Sequence, residues 1–257
     1  GAGVMLYVLA SIASNGSSLL QMTLLALVPL TIVLTTVWWI DRWEPEPLGM
    51  LLLAFLWGVG VSTAVSLVAN TSATILLAGA TNDFQYVSAV ITAPLIEEST
   101  KGLGVLLIFL LSRRSFNGAV DGIVYAAVVA AGFAFSENIL YFLQNQDNLA
   151  RTFVVRGIMS PFAHIMFTSC TGVAIGASAR MRSRLAWLWT TPMGLAGAIC
   201  LHAFWNGALS GNLMLYFIVE VPLFIAAIGL VLGLRWRERL RMRARLAEYG
   251  KAGWYHE

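Results

Sequence analysis

Long apolar runs broken by short polar stretches organise the chain. Stretches at roughly 22–40, 48–69, 87–111, 119–143, 157–179, 186–208 and 213–234 each offer about the 20 mostly apolar residues that a helix needs to cross a bilayer. Runs such as 102–111 and 122–134 lack the alternation of a membrane β-strand. In lipid their backbone groups must be satisfied within the segment, which a helix does. The pattern predicts an all-α fold: a polytopic membrane bundle of about seven transmembrane helices in one domain, 22–234. Residues 1–21 precede it. Their apolar run, 4–13, is too short to span, and it reads as an extracytoplasmic or interfacial lead-in. Gly1 stands where an initiator Met would, and no basic region comes first, which points to processing or trimming. Residues 235–257 form a basic tail.

Composition sharpens the class. Apolar residues make up 58% of 257 and charged residues only 11%, with a mean hydropathy of +0.77; soluble domains carry about a quarter charged residues. A water-soluble enzyme or a nucleic-acid binder is therefore excluded. The basic residues then set the orientation. Arg42 follows the first span, Arg113 and Arg114 the third, Arg180, Arg182 and Arg184 the fifth, and Arg235 to Arg245 the seventh. Only Arg151 and Arg156 fall in the opposite loops. The positive-inside rule puts the N-terminus outside and the C-terminus in the cytoplasm. The longest loops, near 70–86 and 144–156, are then extracytoplasmic.

Other features have structural explanations. Arg235, Arg237, Arg239, Arg241, Arg243 and Arg245 suit a topology anchor that holds anionic lipid, at about 1 kcal/mol per residue near the surface. Trp38, Trp39, Trp43, Trp187 and Trp189 fit an interfacial belt. Cys170 and Cys200 lie in spans without CxxC spacing and read as small core residues. Asp121 reads as an acid stabilising a helix start.

Structure alone does not account for the ionisable residues inside the spans: Glu97, Glu98, Lys101, Glu137, His164, His202 and Glu220. Such groups pair, face a wet cavity or carry function. Counted at 1.5 Å per residue from the inner rim, Glu98 lies about 22 Å deep, Glu137 and His164 about 24 Å, and His202 about 27 Å. In a hydrocarbon core of about 30 Å they share a layer in the outer half. Lys101 stands four residues from Glu97 and three from Glu98, within reach of either. Phe133 and Glu137, His164 and Thr168, and His202 and Asn206 are likewise i, i+4 pairs, each on one helix face. Glu220, at similar depth, has no such partner and is left as a supporting residue. Two histidines and three carboxylates in a water-poor layer suit a divalent cation, and zinc fits nitrogen and oxygen ligands. A neighbouring Glu would then be general base for amide hydrolysis. Glu97 and Glu98 differ by about 100° around the helix and cannot make the same contact.

These residues resemble the PrsW family of intramembrane metalloproteases, in the superfamily of CAAX prenyl proteases and bacteriocin-immunity membrane proteins. Glu97-Glu98-Ser99-Thr100-Lys101 matches EExxK, Phe133-Ala134-Phe135-Ser136-Glu137-Asn138 matches FxxxEN, His164-Ile165-Met166-Phe167 the third motif, and His202-Ala203-Phe204-Trp205-Asn206 HxxxN. Asp41-Arg42-Trp43-Glu44-Pro45-Glu46-Pro47 also looks like the family's. The resemblance runs from about 41 to 209. It implies proteolysis in the membrane: Glu97 or Glu98 as catalytic base, Glu137, His164 and His202 as ligands of a divalent metal such as zinc, and Lys101, Phe133, Asn138 and Asn206 in support. Glu137 stands where the prenyl protease relatives have histidine, and His164 is also a candidate oxyanion stabiliser. The implied substrate is a membrane-anchored protein cut near the extracytoplasmic side, such as an anti-sigma factor, and the implied location a bacterial cell membrane. HExxH, GxGD and rhomboid-like serine motifs are absent. The competing expectations are a proton- or ion-coupled transporter and a catalytically silent immunity or scaffold protein.

Overall fold

The computed structural model describes residues 16–113, 116–209 and 213–254. The lead-in at 4–13 lies outside them, as does the side chain of Glu220. Every described regular element is helical. The chain forms two compact units that divide after residue 211.

In the first unit, α1 runs Gly16–Asp41 and α2 Leu48–Ala78. Helix α3 covers 84–111, with its longest part Ala93–Leu111, and α4 is Ala119–Gln144. Helix α5 comprises Leu149–Phe153 and Val154–Met159, α6 is Ala163–Ser178, and α7 is Trp187–Phe204, prolonged by the wider turn Trp205–Leu209. In the second unit α8 runs Val221–Lys251 and carries the arginine series without a helix end at 235.

A helix thus lies on each of the seven expected spans. Among the described residues five stretches are long and apolar enough to cross a membrane: Ser18–Asp41, Leu48–Ala78, Ala119–Gln144, Gln146–Ser178 and Phe217–Lys251. The other two helices are those diluted by Glu97, Glu98 and Lys101 in α3 and by Trp, Thr and His202 in α7. Apolar side chains such as Leu24, Ile32, Leu52, Ile75 and Met193 are exposed, as lipid-facing positions of an integral membrane protein are.

Two of the expected loops are partly helical. Helix α2 continues through Thr71, Ser72 and Thr74, whose hydroxyls each donate to a carbonyl four residues back and so are satisfied within the helix. Conversely, the span at 157–179 breaks at Ser160–Phe162. Pro161 has no backbone N–H to donate and disfavours helix in the residue before it.

Helix α4 is the core, with an unbroken run of buried residues from Val120 to Phe133. It packs on α6, α1, α2 and α3, while α7 packs on α6 and α3. Small residues make the closest approach possible. A Cβ on Gly122 would lie 2.0 Å from the Gly172 carbonyl oxygen, and one on Gly176 2.2 Å from that of Gly118. The two Gly-x-x-x-Gly segments, 118–122 and 172–176, therefore meet backbone to backbone, as small-residue interfaces do in membranes. The Asp121 carboxylate accepts the N–H groups of Asn117 and Gly118, the latter at 3.0 Å, and secures the start of α4. Cys170 and Cys200 are unpaired thiols.

Candidate active site

Four helices converge where their polar residues fall at matching depth. In α3, Pro94 comes just after the π-helical turn Ser88–Thr92, and Glu97, Glu98 and Lys101 follow it. Helix α4 brings Phe133, Glu137 and Asn138. His164 is the second residue of α6, just past the break at Pro161, and His202 lies near the end of α7.

The adjacent glutamates take different places. Glu98 is fully buried, and both of its oxygens are engaged. Oε1 accepts from Lys101 Nζ at 2.5 Å and His202 Nδ1 at 3.0 Å, and Oε2 from Thr168 Oγ1 at 2.8 Å. A buried ion pair is tolerated only when its remaining polar groups are satisfied in this way. Glu97 points elsewhere. Its Oε1 accepts from Asn70 Nδ2 at 3.1 Å, while Oε2 is buried without a hydrogen-bond partner, 4.0 Å from His202 Nε2.

Donor logic then fixes the histidines. Lys101 has no acceptor, so His164 Nδ1, 3.2 Å from Nζ, accepts and its Nε2–H donates to Glu137 Oε2 at 2.9 Å. His202 donates from Nδ1 to Glu98, which leaves Nε2 facing Glu97. A carboxylate behind a histidine is the usual second partner of a metal-binding imidazole. The His202 ring stacks on Phe167 at 4.8 Å, and the two histidine rings stand edge to face at 5.2 Å. Lys101 Nζ lies 4.4 Å over the Phe133 ring.

A cavity of about 130 Å³ opens on this cluster, and Glu97, Glu137, His164, His202, Arg156 and Asn206 line it. Glu98 and Lys101 lie beneath its wall. One ligand atom each from Glu97, His164 and His202 fall within 4.8 Å of one another. These residues fit a divalent cation: the donors are nitrogen and oxygen, and the buried Glu97 Oε2 has no hydrogen-bond partner.

Glu97, Glu98, Lys101, Phe133, Glu137, Asn138, His164, His202 and Asn206 belong to this cluster or its wall, with Asn206 anchored by Nδ2 to the Ala89 carbonyl at 2.9 Å. The donor cluster nonetheless contains Glu97 where Glu137 was expected. Glu137 instead faces Arg156, whose Nη2 donates to Oε2, while Arg156 Nε donates to Asn138 Oδ1 at 2.8 Å. Arg156, Asn70 and Tyr141 were not expected here. Asn70 had a visible signal, an amide in an otherwise apolar span; Arg156 read as a loop charge.

A family model of the PrsW family intramembrane metalloproteases matches residues 46–231. The chain is 34% identical over 160 residues to Protease PrsW of Clostridioides difficile (strain 630), covering 61% of this chain and 65% of that protein. It is 32% identical over 152 residues to Protease PrsW of Geobacillus kaustophilus (strain HTA426), covering 59% and 64%, and 25% identical over 191 residues to that of Bacillus subtilis (strain 168), covering 74% and 84%. The matches span a little under two thirds of the first two relatives. No solved structure matches the chain. The family match takes in every residue of the cavity cluster and well over half of the sequence, and the chain belongs to the PrsW family of intramembrane metalloproteases.

Proposed function

We propose that the chain is a metal-dependent endopeptidase that cuts a membrane-anchored protein near the extracytoplasmic face of a bacterial membrane. The observation that carries this is the group formed by Glu97, His164 and His202 on a cavity inside an apolar helical bundle. The printed names of the relatives support the peptidase chemistry, and the outer-half depth counted along the sequence supports the side of the cut. A single-span anti-sigma factor is a substrate of the right kind. The arginines of α8 suit anionic lipid.

Glu97, His164 and His202 would hold the cation, with zinc favoured by the donor set. When bound, such an ion lowers the pKa of water and polarises the substrate carbonyl. Ligation through His164 Nε2 would require the other tautomer, with the proton on Nδ1 and the Lys101 contact given up. Glu98, held by Lys101 and Thr168, fixes the His202 ring so that Nε2 points to the cavity. Asn70 holds Glu97 by one oxygen and leaves the other for the site. Glu137 is the remaining carboxylate on the cavity wall. It takes a proton from the attacking water as oxygen bonds to the carbonyl carbon, and returns it to the amide nitrogen as the C–N bond breaks. This exchanges the roles that the motifs suggested for Glu97 and Glu137. Phe133 and Phe167 pack against the histidines and limit water.

The test is cleavage of a fluorogenic single-span peptide in liposomes containing the purified protein. Cleavage abolished by chelator, restored by zinc and reduced to a small residual rate in Glu137→Gln is expected. Cleavage indifferent to chelator, or ion flux without cleavage, would overturn the proposal.

A further inference from the structure

Arg156 carries a role that neither the motifs nor the charge pattern assigns. It lies on the π-helical turn Val154–Met159, immediately before the break at Ser160. An i to i+5 turn adds a residue to the ring and changes which face each following side chain meets, and such turns recur at functional sites. The Arg156 side chain crosses to α4 and is held there at three points. Nη2 meets Glu137 Oε2, Nε donates to Asn138 Oδ1 at 2.8 Å, and the guanidinium carbon lies 3.9 Å over the Tyr141 ring. Glu137 and Tyr141 share a face of α4 at i, i+4, and Asn138 lies beside them.

Each contact fixes a different freedom of the group. The ring sets the guanidinium plane, Asn138 sets its rotation within that plane, and the charge-assisted bond then fixes the Glu137 oxygen. Glu137 Oε2 is thereby held between Arg156 and His164 Nε2, at the cavity wall. A surface ion pair would be screened and loosely held, but this one is largely buried, with side chains 21% and 17% exposed.

We propose that Arg156 is the positioning residue for Glu137, fixing its carboxylate toward the reacting water, with Asn138 and Tyr141 holding Arg156 in turn. The inference rests on the role proposed above for Glu137. Motif spacing could not reveal it, because Arg156 comes from a segment that sequence places in a loop.

The test is a double-mutant cycle on the full chain in liposomes, read with the fluorogenic single-span peptide, alongside melting and bound-metal measurements. Arg156→Gln should lower kcat by roughly 10–100-fold, the range for loss of an orienting partner, with KM within about 3-fold of wild type and bound metal retained. In a Glu137→Gln background the same change should lower kcat less than about 2-fold, because the partner it orients is gone. Effects that multiply, a change confined to KM, or wild-type kcat in Arg156→Gln would overturn the inference. Should Arg156→Gln not fold, Arg156→Lys carries the test, since an ammonium can meet Glu137 but cannot also bridge Asn138. A kcat about 10-fold below wild type is then expected, and wild-type kcat would overturn the inference. If Glu137→Gln itself keeps wild-type kcat, the role of Glu137 fails; if its kcat collapses while Arg156→Gln keeps wild-type kcat, only the present inference fails.

Discussion

Substituting Gly122 with alanine tests whether α4 and α6 meet backbone to backbone. The added Cβ would lie 2.0 Å from the Gly172 carbonyl oxygen and 2.7 Å from its carbon. Ordinary contact begins near 3.4 Å, so the helices must part by about 1.4 Å locally, because backbone cannot rotate away as a side chain can. Overpacking of this kind costs about 1–3 kcal/mol, and a backbone obstacle belongs at the upper end. Alanine returns up to about 1 kcal/mol of helix propensity. The net loss is about 2 kcal/mol, which at about 2–4 °C per kcal/mol for a chain of this size lowers the melting temperature by roughly 4–8 °C. Nine tryptophans supply the fluorescence signal for melting in detergent. Gly60→Ala is the control, because nothing lies within 4 Å of its added Cβ. A Gly122→Ala protein that melts within about 1 °C of wild type would refute the close approach, and with it the packing that brings Glu137 of α4 to His164 of α6.

Other outcomes follow from single groups. Glu46, between α1 and α2, is buried and accepts from the Tyr125 hydroxyl at 2.6 Å; burial, aided by Asp121, Asp41 and Glu44, outweighs that bond and raises its pKa from 4.5 to about 7. The folded state therefore favours the protonated form, so its contribution is full below pH 4.5 and lost as pH rises through about 7. Melting temperature should fall between pH 5 and 8, and Glu46→Gln should flatten that slope; an equal slope in both proteins would contradict the assignment. Lys101→Met removes the cation that neutralises Glu98 and should destabilise the fold by about 3–5 kcal/mol, whereas Lys101→Met with Glu98→Gln should recover much of that loss. Equal melting of the single and double variants would show that the pair is not coupled.

Much of the bundle was legible because long apolar runs leave few alternatives, and helical rise put Glu98, Glu137, His164 and His202 at one depth. What spacing could not decide was which of Glu97 and Glu98 faces the cavity. That depends on Asn70 from α2 and Thr168 from α6, partners distant in sequence that claim opposite glutamates. Arg156 was hidden for a related reason. A π-helical turn has no compositional signature, and the turn delivers a residue counted as a loop charge to the cavity wall. The helix break before His164 was foreshadowed by Pro161, but apolar residues on both sides masked it. The meeting of Gly118-x-x-x-Gly122 with Gly172-x-x-x-Gly176 likewise needed the fold, since either motif alone says only that some helix comes close.

Under the proposed function, Glu97, His164 and His202 hold a divalent cation while Glu137 does not. Bound metal per chain, measured by mass spectrometry on folded, detergent-purified wild type and on Glu97→Ala, His202→Ala and Glu137→Gln, tests it most directly. Near-stoichiometric zinc in wild type and Glu137→Gln, with loss in the other two, is the predicted result. Metal retained in Glu97→Ala but lost in Glu137→Gln would return the ligand role to Glu137, and a wild type that stays metal-free after zinc is added would contradict the metal site itself.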